Sequence, residues 1–259
     1  MAASTRIGEW DFSATHPATA VSVSVSDIAA VPAAARRVYL AGADIVEWRL
    51  DALTSLDASQ IVQTAGQVLT DSDEQPLILT LRTAMEGGQF AGDDSEYRRA
   101  IADLIDYLAP AATPAYSDTG SEEPDDLPII LDIEDARAGT EIHRAAAAGI
   151  HTVASQHLFY GSHSQSELER ALIALTESGA EIVKLAVMSN NEADTDALLA
   201  ATATVAKTVE CPLITMSMGE AGRRSRIDGY KYGSALTFAY LDEPSAPGQP
   251  PLTELLATR

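Results

Sequence analysis

The sequence predicts an α/β fold, a (β/α)8 barrel in one domain over residues 1–259, and three observations predict it. Short apolar, β-branched runs recur along the chain, with helix-like stretches between them. Several runs are apolar almost throughout, as parallel strands covered on both faces are. The length fits one large α/β domain or two small ones, and 46% hydrophobic residues suffice for a sizeable core.

The expected strands are Ala20–Val25, Ile45–Leu50, Leu77–Arg82, Pro128–Ile133, His151–Ser155, Ile182–Val187, Leu213–Met216 and Ala235–Ala239. Helix patterns occupy Tyr97–Leu108, Glu167–Glu177 and Thr195–Val209, and Ser164 opens one of them in a capping box with Glu167. Eight strands separated by helices point to a closed barrel. A doubly wound open sheet is the competing arrangement, but no G-x-G-x-x-G follows the first strand. The connection 110–126 is rich in Pro, Ser, Gly and acid and reads as a solvated surface insertion. The first twenty residues are ambiguous.

Charge narrows the partners. Asp and Glu number 38 against 17 Lys and Arg, a formal net charge of -21. Nucleic acid and anionic membrane surfaces both need a basic face, so neither is expected. Only Lys184, Lys207 and Lys231 are lysines. A dense acidic surface poor in lysine suits a halophilic protein, where screening removes much of the self-repulsion. An ordinary acidic cytosolic protein is the simpler alternative. No apolar run approaches the roughly 20 residues of a membrane-spanning helix, and no secretory signal is read at the N-terminus. Cys211 is the lone cysteine, so an intrachain disulfide is impossible and a reducing cytoplasm is expected.

A barrel strand should stay apolar until its C-terminal end, where such folds place their chemistry. The second strand breaks this rule with Glu47, Arg49 and Asp51 on one side. Charges there are costly to bury unless paired or used; a structural ion-pair network is the alternative reading. The third strand ends at Arg82, followed by Glu86-Gly87-Gly88, a potential ion pair at the barrel mouth. The fourth ends Leu131-Asp132-Ile133-Glu134, two acids on one side. The fifth ends Ser155-Gln156-His157, where a lone histidine means little by itself.

The sixth strand carries Lys184 in the middle of an apolar run, in a chain that has almost no lysine. In apolar surroundings an ammonium is disfavoured relative to the neutral amine, and a neutral amine attacks ketones to form Schiff bases. The alternative is a lysine whose head snorkels to water or an acid. Further on, Met218-Gly219 and Gly222-Arg-Arg-Ser225-Arg226 combine a sharp turn with an arginine suited to grip a carboxylate. Ser245-Ala-Pro247-Gly248-Gln249 forms a shaped loop, read as a lid. Together these parts suit a small, oxygen-rich, anionic ketone. No Cys/His metal spacing or P-loop is present, so no cofactor and no metal are expected.

These residues resemble the type I 3-dehydroquinate dehydratases, shikimate-pathway lyases of aromatic amino-acid biosynthesis. The similarity runs from about Val21 to Gln249 and keeps motif order: Glu47-Trp-Arg49-Leu-Asp51, Thr80-Leu-Arg82 with Glu86-Gly87-Gly88, Ser155-Gln-His157-Leu-Phe159, Ile182-Val-Lys184-Leu-Ala186, Met218-Gly219 with Ser225-Arg226, and Ser245-Ala-Pro-Gly-Gln249. The resemblance implies that 3-dehydroquinate is the substrate and that Lys184 forms an imine with its C3 ketone. His157 then removes a C2 proton and protonates the departing C1 hydroxyl, while Glu86 orients it. Arg226 binds the carboxylate, Glu47, Arg49 and Arg82 contact ring hydroxyls, Ser245 and Gln249 close from the lid, and Ser22 matches a first-strand ligand. It also implies a homodimer. Leu158 departs from the family pattern, which has Asp there, but the position points away from the site. Two other readings stay open: another Schiff-base barrel lyase such as a class I aldolase, and a non-catalytic binding protein that keeps the pocket.

Overall fold

The computed structural model describes residues 3–112 and 127–257. The ambiguous N-terminal stretch forms an antiparallel hairpin, β1 (Ser4–Ile7) and β2 (Trp10–Ser13). Eight parallel strands follow: β3 (Ala18–Val23), β4 (Ile45–Arg49), β5 (Leu77–Thr80), β6 (Ile129–Glu134), β7 (His151–Leu158), β8 (Ile182–Met188), β9 (Leu213–Met218) and β10 (Leu236–Ala239). They pair in the order β10-β3-β4-β5-β6-β7-β8-β9. The remaining seam, between β9 and β10, is stitched by a Leu213–Ser234 bridge and by Ala235 N–H donating to Leu213 O at 2.7 Å. The barrel reading is therefore correct and the open sheet is not.

The α-helices are α1 (Val31–Leu40), α2 (Ala58–Asp71), α3 (Asp94–Ala112), α4 (Asp135–Ala147), α5 (Gln165–Thr176), α6 (Glu192–Val205), α7 (Arg223–Asp228) and α8 (Leu252–Ala257). Their buried residues recur at helical spacing, as in Ile61, Ala65, Val68 and Leu69 of α2, or Leu168, Leu172 and Leu175 of α5. Ser164 caps α5 as expected, its N–H donating to Glu167 Oε2 at 2.8 Å. One boundary needs correction. The expected insertion 110–126 begins too early, because α3 runs through Pro110 to Ala112. Proline's fixed φ is helical, and near the helix end its missing N–H forfeits a single bond. Residues 113–126 of that segment lie outside the described residues. Among the described residues no helix is long and apolar enough to cross a membrane.

Strand alternation divides the core in two. Outward residues such as Val46, Trp48, Leu79, Ile133, Val183 and Leu185 pack under the helices. Inward residues begin with an apolar layer of Ala20, Ile45, Ile78, Ile130, Val153, Ile182, Ile214 and Leu236, which Ile7 and Phe12 of the hairpin join. Burying one such side chain contributes about 1.5–3 kcal/mol. The floor of the barrel is thus dry and rigid, and the next inward layer up is where the polar residues stand.

Candidate active site

Counting by twos along each strand from the apolar layer gives Ser22, Glu47, Thr80, Asp132, Ser155 and Lys184. Register brings Ser22 beside Glu47 and Ser155 beside Lys184. Lys184 is 4% exposed and its side chain lines the cavity inside the barrel. Its Nζ donates to Asp132 Oδ2 at 3.0 Å and to Glu47 Oε1 at 3.5 Å, and lies 4.5 Å from the centroid of the Phe238 ring. The expectation that apolar neighbours surround the amine is therefore corrected. The strand neighbours Val183 and Leu185 face the helices, and what surrounds Nζ are carboxylates from other strands. Glu47 is itself held by Ser22 Oγ at 2.5 Å and Thr80 Oγ1 at 3.0 Å. Burial opposes its ionisation, but Lys184 and Arg49 outweigh that and keep its carboxyl below the usual range.

Arg82 is buried among acids. Its Nη2 donates to both Asp132 oxygens at 2.9 Å, and its Nη1 to Glu134 Oε1 at 3.0 Å, Ser155 Oγ at 3.1 Å and Glu86 Oε2 at 3.4 Å. The ion pair of Arg82 with Glu86 is thus one strand of a larger network. Glu134 also accepts from Thr83 N–H at 2.8 Å and Thr83 Oγ1 at 2.7 Å, which pins the turn that carries Glu86. Arg49 forms a two-bond fork with Asp51, Nε to Oδ1 at 2.8 Å and Nη2 to Oδ2 at 2.7 Å. Asp51 in turn accepts from the N–H groups of Arg82 and Gln89, fastening both ends of the same turn. Gly87, in that turn, has φ +82°, and a Cβ there would meet the Phe159 ring at 2.4 Å.

His157 stands one inward step above Lys184 on the adjacent strand, paired with Ala186. Its Nδ1 lies 2.9 Å from Glu86 Oε2, and its backbone N–H donates to the same oxygen at 3.1 Å. Burial, then the charges of Arg82 and Lys184, hold the imidazole well below its ordinary pKa. Burial, then Glu134, push the Glu86 carboxyl up to about 8, against the pull of Arg82. One carboxyl and one imidazole thus share a largely buried site, fixed in mutual orientation.

Arg226, on α7, is 2% exposed. Its nearest polar contacts are the sulfur of Met216 at 3.5 Å from Nη1 and Pro247 O at 3.4 Å from Nη2, and Nε has no partner among the described residues. Burial alone draws its pKa down to about 10. The lid loop lies over it: Gly219 N–H donates to Pro247 O at 3.1 Å, and Gln249 Oε1 accepts from Ser245 N–H at 2.8 Å. Gly248 has φ +78°, and a Cβ there would stand 2.2 Å from Gly219 O, so glycine is what lets the lid lie this close.

One cavity at the barrel mouth is lined by Ser22, Glu47, Arg49, Arg82, Glu86, His157, Lys184, Arg226, Ser245 and Gln249. Every residue to which the sequence reading gave a catalytic or substrate-binding role lines it, whereas Asp51, Asp132 and Glu134 do not. Leu158 packs instead against the outer core. Sequence reasoning missed Asp132, Glu134, Thr80 and Phe238 as partners of those residues. The signal for the first two was present, as a pair of acids at the end of an apolar strand.

The arrangement can be set beside known proteins. The type I 3-dehydroquinase family model matches residues 19–258. A 3-dehydroquinate dehydratase of Enterococcus faecalis is 36% identical over 208 residues, 80% of this chain and 77% of that protein. One from Lactiplantibacillus plantarum is 33% identical over 247 residues, 93% of this chain and 90% of that protein. Among solved structures, the type I 3-dehydroquinate dehydratase of Clostridium difficile, described with covalently modified comenic acid, superposes with a TM-score of 0.85 at 26% identity, covering 100% of this chain and 97% of that one. With the barrel, the inward lysine and the ordered motifs, these matches make the chain a member of the type I 3-dehydroquinase family of hydro-lyases.

Proposed function

We propose that this chain dehydrates 3-dehydroquinate to 3-dehydroshikimate through an imine on Lys184. The observation that supports it most is that an amine, a neutral imidazole and a buried guanidinium without a counter-charge among the described residues line one cavity. Arg226 supplies the place for the substrate carboxylate, in the bidentate fork an arginine favours. That places the ring over Lys184, whose nitrogen adds to C3. The resulting iminium is an electron sink. His157 removes the C2 proton, the electrons flow into the iminium to give an enamine, and their return expels the C1 hydroxyl, which takes the proton from His157. Glu86 orients the imidazole, as an acid does in a triad. Glu47, Arg49 and Arg82 face the ring hydroxyls, Ser22 supports Glu47, and Ser245 and Gln249 close the lid over the ring. We extend the proposal to a homodimer in the cytoplasm, on the family resemblance and the single cysteine.

The charge of -21 supports a halophilic setting. The dehydration assay is therefore run at high and low salt, following the ultraviolet band of the conjugated enone. We expect turnover, and a melting temperature that climbs with salt as self-repulsion is screened. No enone band at either salt concentration rejects the activity, and a melting temperature indifferent to salt rejects the halophilic reading.

The Glu86–His157 pair predicts a pH dependence. Below about 8 the Glu86 carboxyl keeps its proton and offers it to Nδ1, so the imidazole proton sits on Nε2. Above that pH the ionised carboxylate accepts Nδ1–H and leaves the Nε2 lone pair free to act as base. We expect kcat to rise as pH passes through about 8, and Glu86→Gln to lose that limb. A wild-type profile flat across this range contradicts the assignment.

A further inference from the structure

We infer that Asp132 is a positioning residue that fixes the geometry of the imine, by accepting the one N–H of Lys184 that survives imine formation; the inference rests on the Schiff-base reading above. Asp132 is 1% exposed and is not among the residues that line the cavity. It touches Lys184 without lining the cavity, so it acts on the substrate through the lysine.

The chemistry leaves nitrogen a single hydrogen. A lysine ammonium carries three N–H donors. One proton leaves to His157, and the lone pair adds to C3 while the carbonyl electrons move to oxygen. His157 returns that proton to the oxygen. The nitrogen, now bonded to carbon, gives up a second proton to His157, which delivers it to the hydroxyl so that water departs and C=N forms. An ammonium and a ketone have become an iminium and water, and one N–H remains. The iminium is planar, so that N–H lies on the same side as either C2 or C4 of the ring. Its direction decides whether the C2 proton faces His157.

Two carboxylates compete for that hydrogen, and geometry favours Asp132. Its Oδ2 is 3.0 Å from Nζ against 3.5 Å for Glu47 Oε1. Asp132 is also the more rigidly held, gripped through both oxygens by Arg82 and by Ser155 Oγ at 2.5 Å. Glu47 hangs from two hydroxyls. The ring of Phe238 covers a third side of the nitrogen.

Three proteins test this: wild type, Asp132→Asn and Asp132→Glu. Asparagine removes the charge at constant shape. Glutamate keeps the charge that pairs Arg82 but shifts the acceptor by one methylene, so it reports even if the asparagine variant does not fold. Each is incubated with 3-dehydroquinate and borohydride, and the mass added at Lys184 is read alongside kcat and KM. We expect the imine to be trapped in the folded variants, with KM within a few-fold of wild type and kcat lower by about 100-fold, the scale of a displacement of about 1 Å. A merely structural role would lower stability and the active fraction but leave kcat per trapped site unchanged. Wild-type kcat in Asp132→Glu overturns the inference, since charge alone would then suffice. Failure of the wild type to trap substrate at Lys184 overturns the Schiff-base reading, and this inference falls with it.

Discussion

Lys184→Ala is expected to abolish measurable turnover of 3-dehydroquinate, a loss on the order of 10^5-fold or more, as when a covalent nucleophile is removed from a set of residues that act as a unit. No neighbouring group replaces the amine, because the side chains around it are carboxylates and a phenyl ring. The variant should still fold. Removing one partner of a buried ion pair costs about 3–5 kcal/mol when it strands the other charge. Here Asp132 keeps Arg82, and Glu47 keeps Ser22 and Thr80. A cooperative thermal transition at a moderately lower temperature, with no mass added by borohydride and substrate, is the expected pairing. Turnover within tenfold of wild type in a folded Lys184→Ala protein ends the imine mechanism.

Much of this site was legible because a barrel strand has a two-residue period. A lysine in a strand flanked by Val183 and Leu185 must face the side those residues do not, and their bulk assigns them to the helices. The same count placed Glu47 and Arg49 inward. It did not say what Lys184 would meet. Asp132 and Glu47 are 52 and 137 residues away in sequence. Which residues stand level inside a barrel depends on strand stagger, and stagger is a property of closure that no single strand carries. The apolar-pocket argument for the amine failed for this reason.

The loops were harder. The hairpin of Ser4–Ile7 and Trp10–Ser13 is two short strands whose pairing is decided by the barrel floor that Ile7 and Phe12 meet. The place of Arg82 at a strand end suggested an ion pair with Glu86, and the family resemblance a contact with ring hydroxyls, yet most of its donors go to Asp132, Glu134 and Glu86. That network is assembled from three strands and a turn. An acid pair at a strand end announces that something basic must come to it, without saying from where.

Arg226→Met should separate stability from binding, because the described residues offer the buried guanidinium no counter-charge. A buried cation with no counter-charge costs several kcal/mol, and among the described residues the polar contacts of Arg226 are a thioether and a carbonyl. Methionine fills similar space without the charge, so the ligand-free variant should melt at or above the wild-type temperature. Its KM should rise by about 30- to 4,000-fold, since losing a desolvated charge-assisted contact removes about 2–5 kcal/mol and each 1.4 kcal/mol is tenfold. Arg226→Lys keeps the charge but loses the fork, and should fall between the two. Mass action supplies an independent reading: substrate or product raises the wild-type melting temperature by binding only the folded state, and this shift should vanish in Arg226→Met. A variant that is strongly destabilised yet binds substrate normally would mean that Arg226 holds the α7 turn and lid together, and that the carboxylate is gripped elsewhere.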